Sequence, residues 1–402
     1  MLAQSTKDFI NRNQTPLCLF ALWMFRLTFL KQGNEGGVAI NKFVIVQLVA
    51  ELGIFVYLIQ QNINFATIFI LQPIRYFAWM YLLGVLSILW GIIPIVGSYF
   101  AFQNLLMLLF IYHIFSQVHD FFQLERFFLV VAHIILLLFI FEQIISSEFY
   151  FHSVGYSTVA GILFTYSIVE LSHSYRPLEN QLWLKRSVIF STFILLITTS
   201  GGALVSTACS AMLLIFFAKK NSIRFLSALC AILFLFAYWL GFFDMIIEFL
   251  CPGKSIESIE SAHGRTHIWS LILEKAAERP WLGWGYASVE RIIDFYCIDS
   301  HNFFVGILGN LGYVGCAFGA LGFLSLLGFT FIHRKMMGMS GFLVASFFSL
   351  VNSNTYNFVA GKETLASFIF QLVVVLPAMI YIHEKQKSDF SRITQAQEIK
   401  SK

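Results

Sequence analysis

Residues 127–146 read FFLVVAHIILLLFIFEQIIS, twenty positions with a single formal charge, at Glu142. A helix that crosses the hydrocarbon of a bilayer needs about 20 consecutive, mostly apolar residues. Eleven further segments of the same kind follow, near 16–31, 43–60, 76–95, 98–117, 154–172, 187–200, 202–218, 225–249, 302–332, 341–359 and 364–383. They predict an all-α, polytopic membrane protein with about 12 transmembrane helices. Composition agrees: 58% of the 402 residues are hydrophobic and 12% charged, against about 25% charged in a soluble domain. With 46 phenylalanines and a mean hydropathy of +0.76, the chain has too little charge to surround one water-soluble core. Collagen-like, disordered, disulfide-scaffold and nucleic-acid-binding classes are excluded at this step.

Lysine and arginine set the expected orientation. With the N-terminus in the cytoplasm, seventeen of the 26 fall in inner segments or the C-terminal tail, eight fall outside, and Arg26 lies within a span. That excess predicts both termini inside. The layout divides the chain into spans 1–9 (1–250), an outer loop (251–301), spans 10–12 (302–383) and a cytoplasmic tail (384–402). The stretch after Pro16 is broken by Arg26 and lacks a small-x-small cleavage pattern, which reads as a retained first helix. The seventh and eighth segments are short and meet at Thr198-Thr199-Ser200-Gly201-Gly202, a candidate re-entrant turn. Phe65–Leu71 is too short to span. Six cysteines show no metal-ligand spacing; Cys251 and Cys297 flank the outer loop and are placed to pair, two free thiols being the simpler reading. Glu51, Glu142, Asp244, Glu248 and Arg26 are costly in hydrocarbon and should face a cavity or one another.

The outer loop is the one long hydrophilic segment, and a loop of that length in a compact protein is usually functional. It reads as a helix from Thr266 to Glu278, stopped by Arg279-Pro280 because the residue before proline avoids the helical region. A glycine-punctuated aromatic turn follows, Trp281-Leu282-Gly283-Trp284-Gly285-Tyr286. His301-Asn302 then opens a helix containing Gly309, Gly312 and Gly315.

This ordered set, Gly264-Arg265, Ile268-Trp269, Pro280, Gly283, Gly285 and His301-Asn302 before a glycine-rich helix, resembles the O-antigen ligase and polymerase family of bacterial envelope polysaccharide assembly. The resemblance implies a GT-C-like membrane glycosyltransferase with a periplasmic catalytic loop in the inner membrane. Its donor would be an undecaprenyl-diphosphate-linked oligosaccharide and its acceptor a sugar hydroxyl, on the growing chain or on lipid A–core. Membrane lipids and a chain-length regulator are further candidate partners; nucleic acid is not. A family motif at the seventh-to-eighth junction normally carries an arginine where this chain has Gly201, in Ser200-Gly201-Gly202-Ala203-Leu204. Arg291, Lys254 and Arg279 are the candidates to replace that cation.

The residues suit this chemistry. The leaving lipid diphosphate gains negative charge, which a guanidinium meets with forked, charge-assisted hydrogen bonds. Arg265 at a helix N-terminus fits that role, and His301 fits that of a base neutral near pH 7. Arg291, Arg279, Trp269 and Asn302 are expected to bind substrate or orient these two. The departing group is already activated, so no metal or cofactor is expected. The plainer readings are Arg265 snorkelling to lipid phosphates, His301 capping a helix, the tryptophans packing, and Gly283 and Gly285 easing the backbone. Wording around Arg265 and Pro280 leans towards a repeat-unit polymerase, with a ligase as the alternative within the family. A polysaccharide-intermediate flippase is the competitor from another class; its working residues would lie at the bilayer midplane and not in a loop.

Overall fold

The computed structural model describes residues 14–29, 42–118, 120–145, 154–173, 176–198, 200–239, 265–293, 300–361 and 364–400. Asp244, Glu248, Cys251, Lys254, His263, Gly264 and Cys297 lie outside them, as do the side chains of Arg26 and Glu142. Among the described residues every regular element is helical.

The helices are α1 (Gln14–Phe29), α2 (Lys42–Gln60), α3 (Arg75–Leu86), α4 (Pro94–Ser116), α5 (Phe121–Ile145), α6 (Val154–Leu171), α7 (Leu178–Thr198), α8 (Gly201–Met212) with its continuation α9 (Leu214–Phe217), α10 (Asn221–Trp239), α11 (Arg265–Glu278), α12 (Val289–Ile293), α13 (Phe303–Ile332), α14 (Met339–Asn352) and α15 (Leu365–Lys400). Each of the twelve apolar stretches overlaps one of these helices over at least part of its length, α8 and α9 together covering the eighth. Six described segments are long and apolar enough to cross a membrane: Pro94–Ser116, Phe121–Phe141, Val154–Leu171, Leu178–Thr198, Phe303–Ile332 and Leu365–Ser388. Four shorter apolar helices accompany them. Phe65–Phe69 is a 3₁₀ turn, as a segment too short to span should be.

Several boundaries depart from the expected ones: α3 ends at Leu86 rather than 95 and α5 begins at Phe121 rather than 127. Helix α7 begins at Leu178 rather than 187, because Glu179, Gln181, Lys185 and Arg186 are adequate helix formers that an apolar count ignores. Helix α15 runs on to Lys400, through the expected tail, for the same reason. Helix α14 stops at Asn352, short of the expected 359. Asn, Ser and Thr compete for their own backbone, and Asn352-Ser353-Asn354-Thr355 ends the helix as a turn.

The first half of α15 is the centre of the bundle, buried on all sides, as an all-round apolar helix should be. Phe370 on α15 meets Phe77, Phe323 and Phe358 with ring centroids 5.2–5.6 Å apart. Two ends of the bundle are distinguished by polar contacts. At one end Arg176 is fully buried and pairs with Glu125 on α5 and Glu170 on α6. Asn180 and Tyr166 donate to Glu125 at 3.0 and 2.8 Å, and the Gly341 amide donates to Glu170 at 2.7 Å. The other end gathers residues 87–97, Gly155, 200–202, 265–293, 300–302 and 353–361. Between the ends, Glu51 accepts hydrogen bonds from Gln47, Tyr99 and Gln103 at 2.5–2.7 Å, neutral partners among the described residues in place of the cavity or opposite charge expected.

Helix α13 is broken at Gly312, whose φ of 63° and ψ of −161° are non-helical. The turn after α11 enters the break. Trp284 and Gly285 amides donate to the Gly309 and Asn310 carbonyls at 3.1 and 2.8 Å, and the Tyr313 and Val314 amides donate to Pro280 and Trp281 carbonyls at 2.7 and 3.3 Å. These are the four groups that two helical i→i−4 bonds would otherwise have used, so the kink leaves none of them unsatisfied. Gly283 (φ 61°) is required here: a Cβ would sit 2.6 Å from the Asn310 carbonyl. The Asn310 side chain accepts from Ser288 and Val289 amides at 2.8 Å, fixing the start of α12.

Candidate functional site

Arg265 and Trp269 are four residues apart on α11 and therefore share a face. The indole N–H of Trp269 donates to the Ser300 carbonyl at 2.9 Å, tying α11 to the entry of α13. Ser300 is fully buried, and its hydroxyl donates to the Asn302 carbonyl at 3.1 Å. Asn302 caps α13, its Oδ1 accepting from the Val305 amide at 3.1 Å. Between them His301 adopts a left-handed backbone, φ 53°. Such conformations are uncommon outside glycine and persist where the surroundings over-determine them. The bonds made by Ser300 and Asn302 on either side do so here, presenting a half-buried imidazole at the mouth of α13.

Arg265 approaches the same place from the start of α11. Its Nη1 donates to the Thr355 carbonyl at 2.9 Å, in the turn that follows α14. That turn touches the other parts of the site. The Phe303 amide donates to the Ser353 carbonyl at 2.7 Å. Gly202 lies so close to Thr355 that a Cβ would meet its hydroxyl and stand 2.8 Å from its Cβ. Gly306 is packed as tightly on Ser300, with Asn357 Nδ2 3.2 Å from the place of a Cβ. Asn352, fully buried, donates to Thr158 at 2.7 Å and receives the Thr355 hydroxyl on its carbonyl at 3.0 Å. Farther along, the Val359 carbonyl accepts from Tyr81 at 2.8 Å, and the Gly361 amide donates to Tyr286 at 2.8 Å.

Of the residues expected to act together, the structure gathers Arg265, Trp269, His301 and Asn302. Arg279 is elsewhere, at the opposite end of α11, roughly 20 Å along a helix of this length. Its guanidinium stacks 4.1 Å from the Trp284 ring centroid and donates to the Trp90 carbonyl at 3.4 Å, so it braces the aromatic turn. Lys275 beside it donates to Glu278 at 2.6 Å, and that bond holds its ammonium above the usual lysine range. Arg291 is exposed on α12 and is not among the residues these contacts join. Among the described residues, Arg265 is linked to the Ser200–Leu204 junction through Thr355, which bonds the guanidinium and packs on Gly202. His267 is exposed on α11, in keeping with plain surface polarity. Trp269 is half-buried, with its indole N–H committed to the Ser300 carbonyl. Among the described residues no three His, Cys, Asp or Glu side chains cluster as metal ligands.

Sequence reading missed Ser353–Asn357 altogether, because it lay inside the stretch 341–359 counted as a span. The available signal was the run Asn352-Ser353-Asn354-Thr355-Tyr356-Asn357, six residues that disfavour the interior of an apolar helix.

Residues 187–320 match the family model described as O-antigen ligase. The match runs from α7 into α13 and takes in the Ser200–Leu204 junction, Arg265, Trp269, His301 and Asn302. The resemblance expressed by the loop motifs is thereby shown over that segment, about a third of the chain. No curated protein matches the chain.

Proposed function

We propose, from the O-antigen ligase family match at 187–320 and the convergence of Arg265 with His301, that this membrane protein is a glycosyltransferase of surface polysaccharide assembly. It acts outside the cytoplasmic membrane, both termini being cytoplasmic, on a saccharide linked to undecaprenyl diphosphate. An acceptor sugar hydroxyl attacks the anomeric carbon, its proton passes to the His301 imidazole, and the glycosidic C–O bond breaks. The lipid diphosphate leaves with the electron pair, its added charge met by the Arg265 guanidinium. Trp269 and Asn302 fix the backbone on either side of His301. The observation that supports this reading is the pair of 2.9 Å bonds from one face of α11, Arg265 to the Thr355 carbonyl and Trp269 to the carbonyl of Ser300, the residue before His301.

The leading reaction is repeat-unit polymerisation, in a GT-C-like fold. The second reading, transfer of finished polymer to lipid A–core, is favoured by the description of the matching family. Surface saccharides and lipid extracts of a deletion strain, complemented with wild type or His301→Ala, separate them. Single repeats on lipid A–core, with unpolymerised repeats on the carrier, mean polymerase. Bare core with long polymer stranded on the carrier means ligase. Full rescue by His301→Ala would overturn the assignment of the base.

A further inference from the structure

The turn after α14 is the one place where three separate parts of the site meet. Its Ser353 carbonyl receives the first amide of α13, directly after His301-Asn302. Its Thr355 carbonyl receives Arg265. Its Thr355 side chain fills the space over Gly202 so fully that no Cβ fits there. Thr355 is only half-buried and its hydroxyl is committed to Asn352, at 3.0 Å to the carbonyl and 3.3 Å to Oδ1. The residue is thus pinned from below by Asn352, from the side by Gly202, and presents its carbonyl to the guanidinium.

We propose that Thr355 is a positioning residue that sets the Arg265 guanidinium, and that Gly202 acts on the same guanidinium through it. The proposal rests on the transferase reading above for its activity readout. Its physical content is that the start of α8, the turn after α14 and the start of α11 form one mechanical chain. A side chain at 202 displaces Thr355, its carbonyl moves, and Arg265 loses its aim. Misplacement of a charged group by about 1 Å costs as much as 100-fold in rate.

The test is a mutant cycle on the full-length protein in nanodiscs, with a lipid-diphosphate-linked saccharide donor and product release followed by chromatography. Gly202→Ala is expected to lower kcat by at least about tenfold with donor KM little changed. Adding Thr355→Gly, which removes the Thr355 atoms the new methyl meets but also the bond to Asn352, is expected to add little to that loss, because both changes act through the same turn. In an Arg265→Lys background, where the fork is already lost, Gly202→Ala is expected to cost almost nothing more. Thr355→Val, which keeps bulk but frees the turn from Asn352, provides the same cycle with Arg265→Lys if Gly202→Ala does not accumulate. Wild-type turnover in Gly202→Ala, fully multiplicative losses on adding Thr355→Gly, or an undiminished loss in the Arg265→Lys background would overturn the proposal. Wild-type transfer by both Arg265→Lys and Arg265→Ala would instead sink the transferase role given to Arg265, which is a different result.

Discussion

At the residue scale the account turns on what Arg265, Trp269 and His301 each touch. A donor aimed at developing charge is worth about 100- to 1000-fold in rate when removed. Arg265→Ala is therefore expected to lower transfer by that order with normal protein level, measured as product per protein in membranes. Trp269→Phe keeps an aromatic ring but loses the pyrrole part of the indole with the N–H that holds the buried Ser300 carbonyl. Leaving that acceptor unmet costs about 1–3 kcal/mol, so slower transfer is expected with a lowered melting temperature. Unchanged values would show that the tie does not position His301. Arg265 and His301 were legible from residue type and order alone. Their link was not, since a tryptophan bonding a carbonyl 31 residues away leaves no pattern in the sequence.

At the element scale the informative feature is the exchange of hydrogen bonds between the 280–285 turn and the break in α13. The glycine-punctuated turn and the stop at Arg279-Pro280 could be read directly, because proline and glycine act on their own neighbours. The exchange could not, because it pairs backbone groups about 25 to 33 residues apart in the chain. Gly312 of α13 accordingly serves the docking of that turn, since a Cβ there would collide with the Trp281 carbonyl. Gly283→Ala and Gly312→Ala are each expected to cost about 1–3 kcal/mol from the positive φ alone, more with the collision. Thermal unfolding in detergent reads this out, with Gly328→Ala as control, since a Cβ there meets nothing within 4 Å. Equal stability of all three would contradict the exchange.

At the scale of the whole molecule, apolar length located the helices, and positive charge gave an orientation that labelling can check. In a cysteine-free background, Ser270→Cys on α11 is expected to react with an impermeant maleimide in intact cells. Lys335→Cys, after α13, is expected to react only once the cells are opened. The reverse pattern would invert the topology. The opposite end of the bundle depends on the buried Arg176 group. Removing one partner of such a group leaves an uncompensated charge and costs about 3–5 kcal/mol. Arg176→Met is thus expected to lower stability strongly, and Arg176→Met with Glu125→Gln and Glu170→Gln to recover much of it.

The central claim is that Arg265 and His301 serve one transfer reaction at the mouth of α13. It is tested most directly by giving purified protein in nanodiscs a lipid-diphosphate-linked repeat unit and following free undecaprenyl diphosphate and saccharide length together. The account predicts that wild type releases the lipid diphosphate as longer saccharide forms, or as a supplied lipid A–core acceptor is glycosylated, and that Arg265→Ala and His301→Ala each abolish both signals in a folded protein. Full release and transfer by either variant would contradict it.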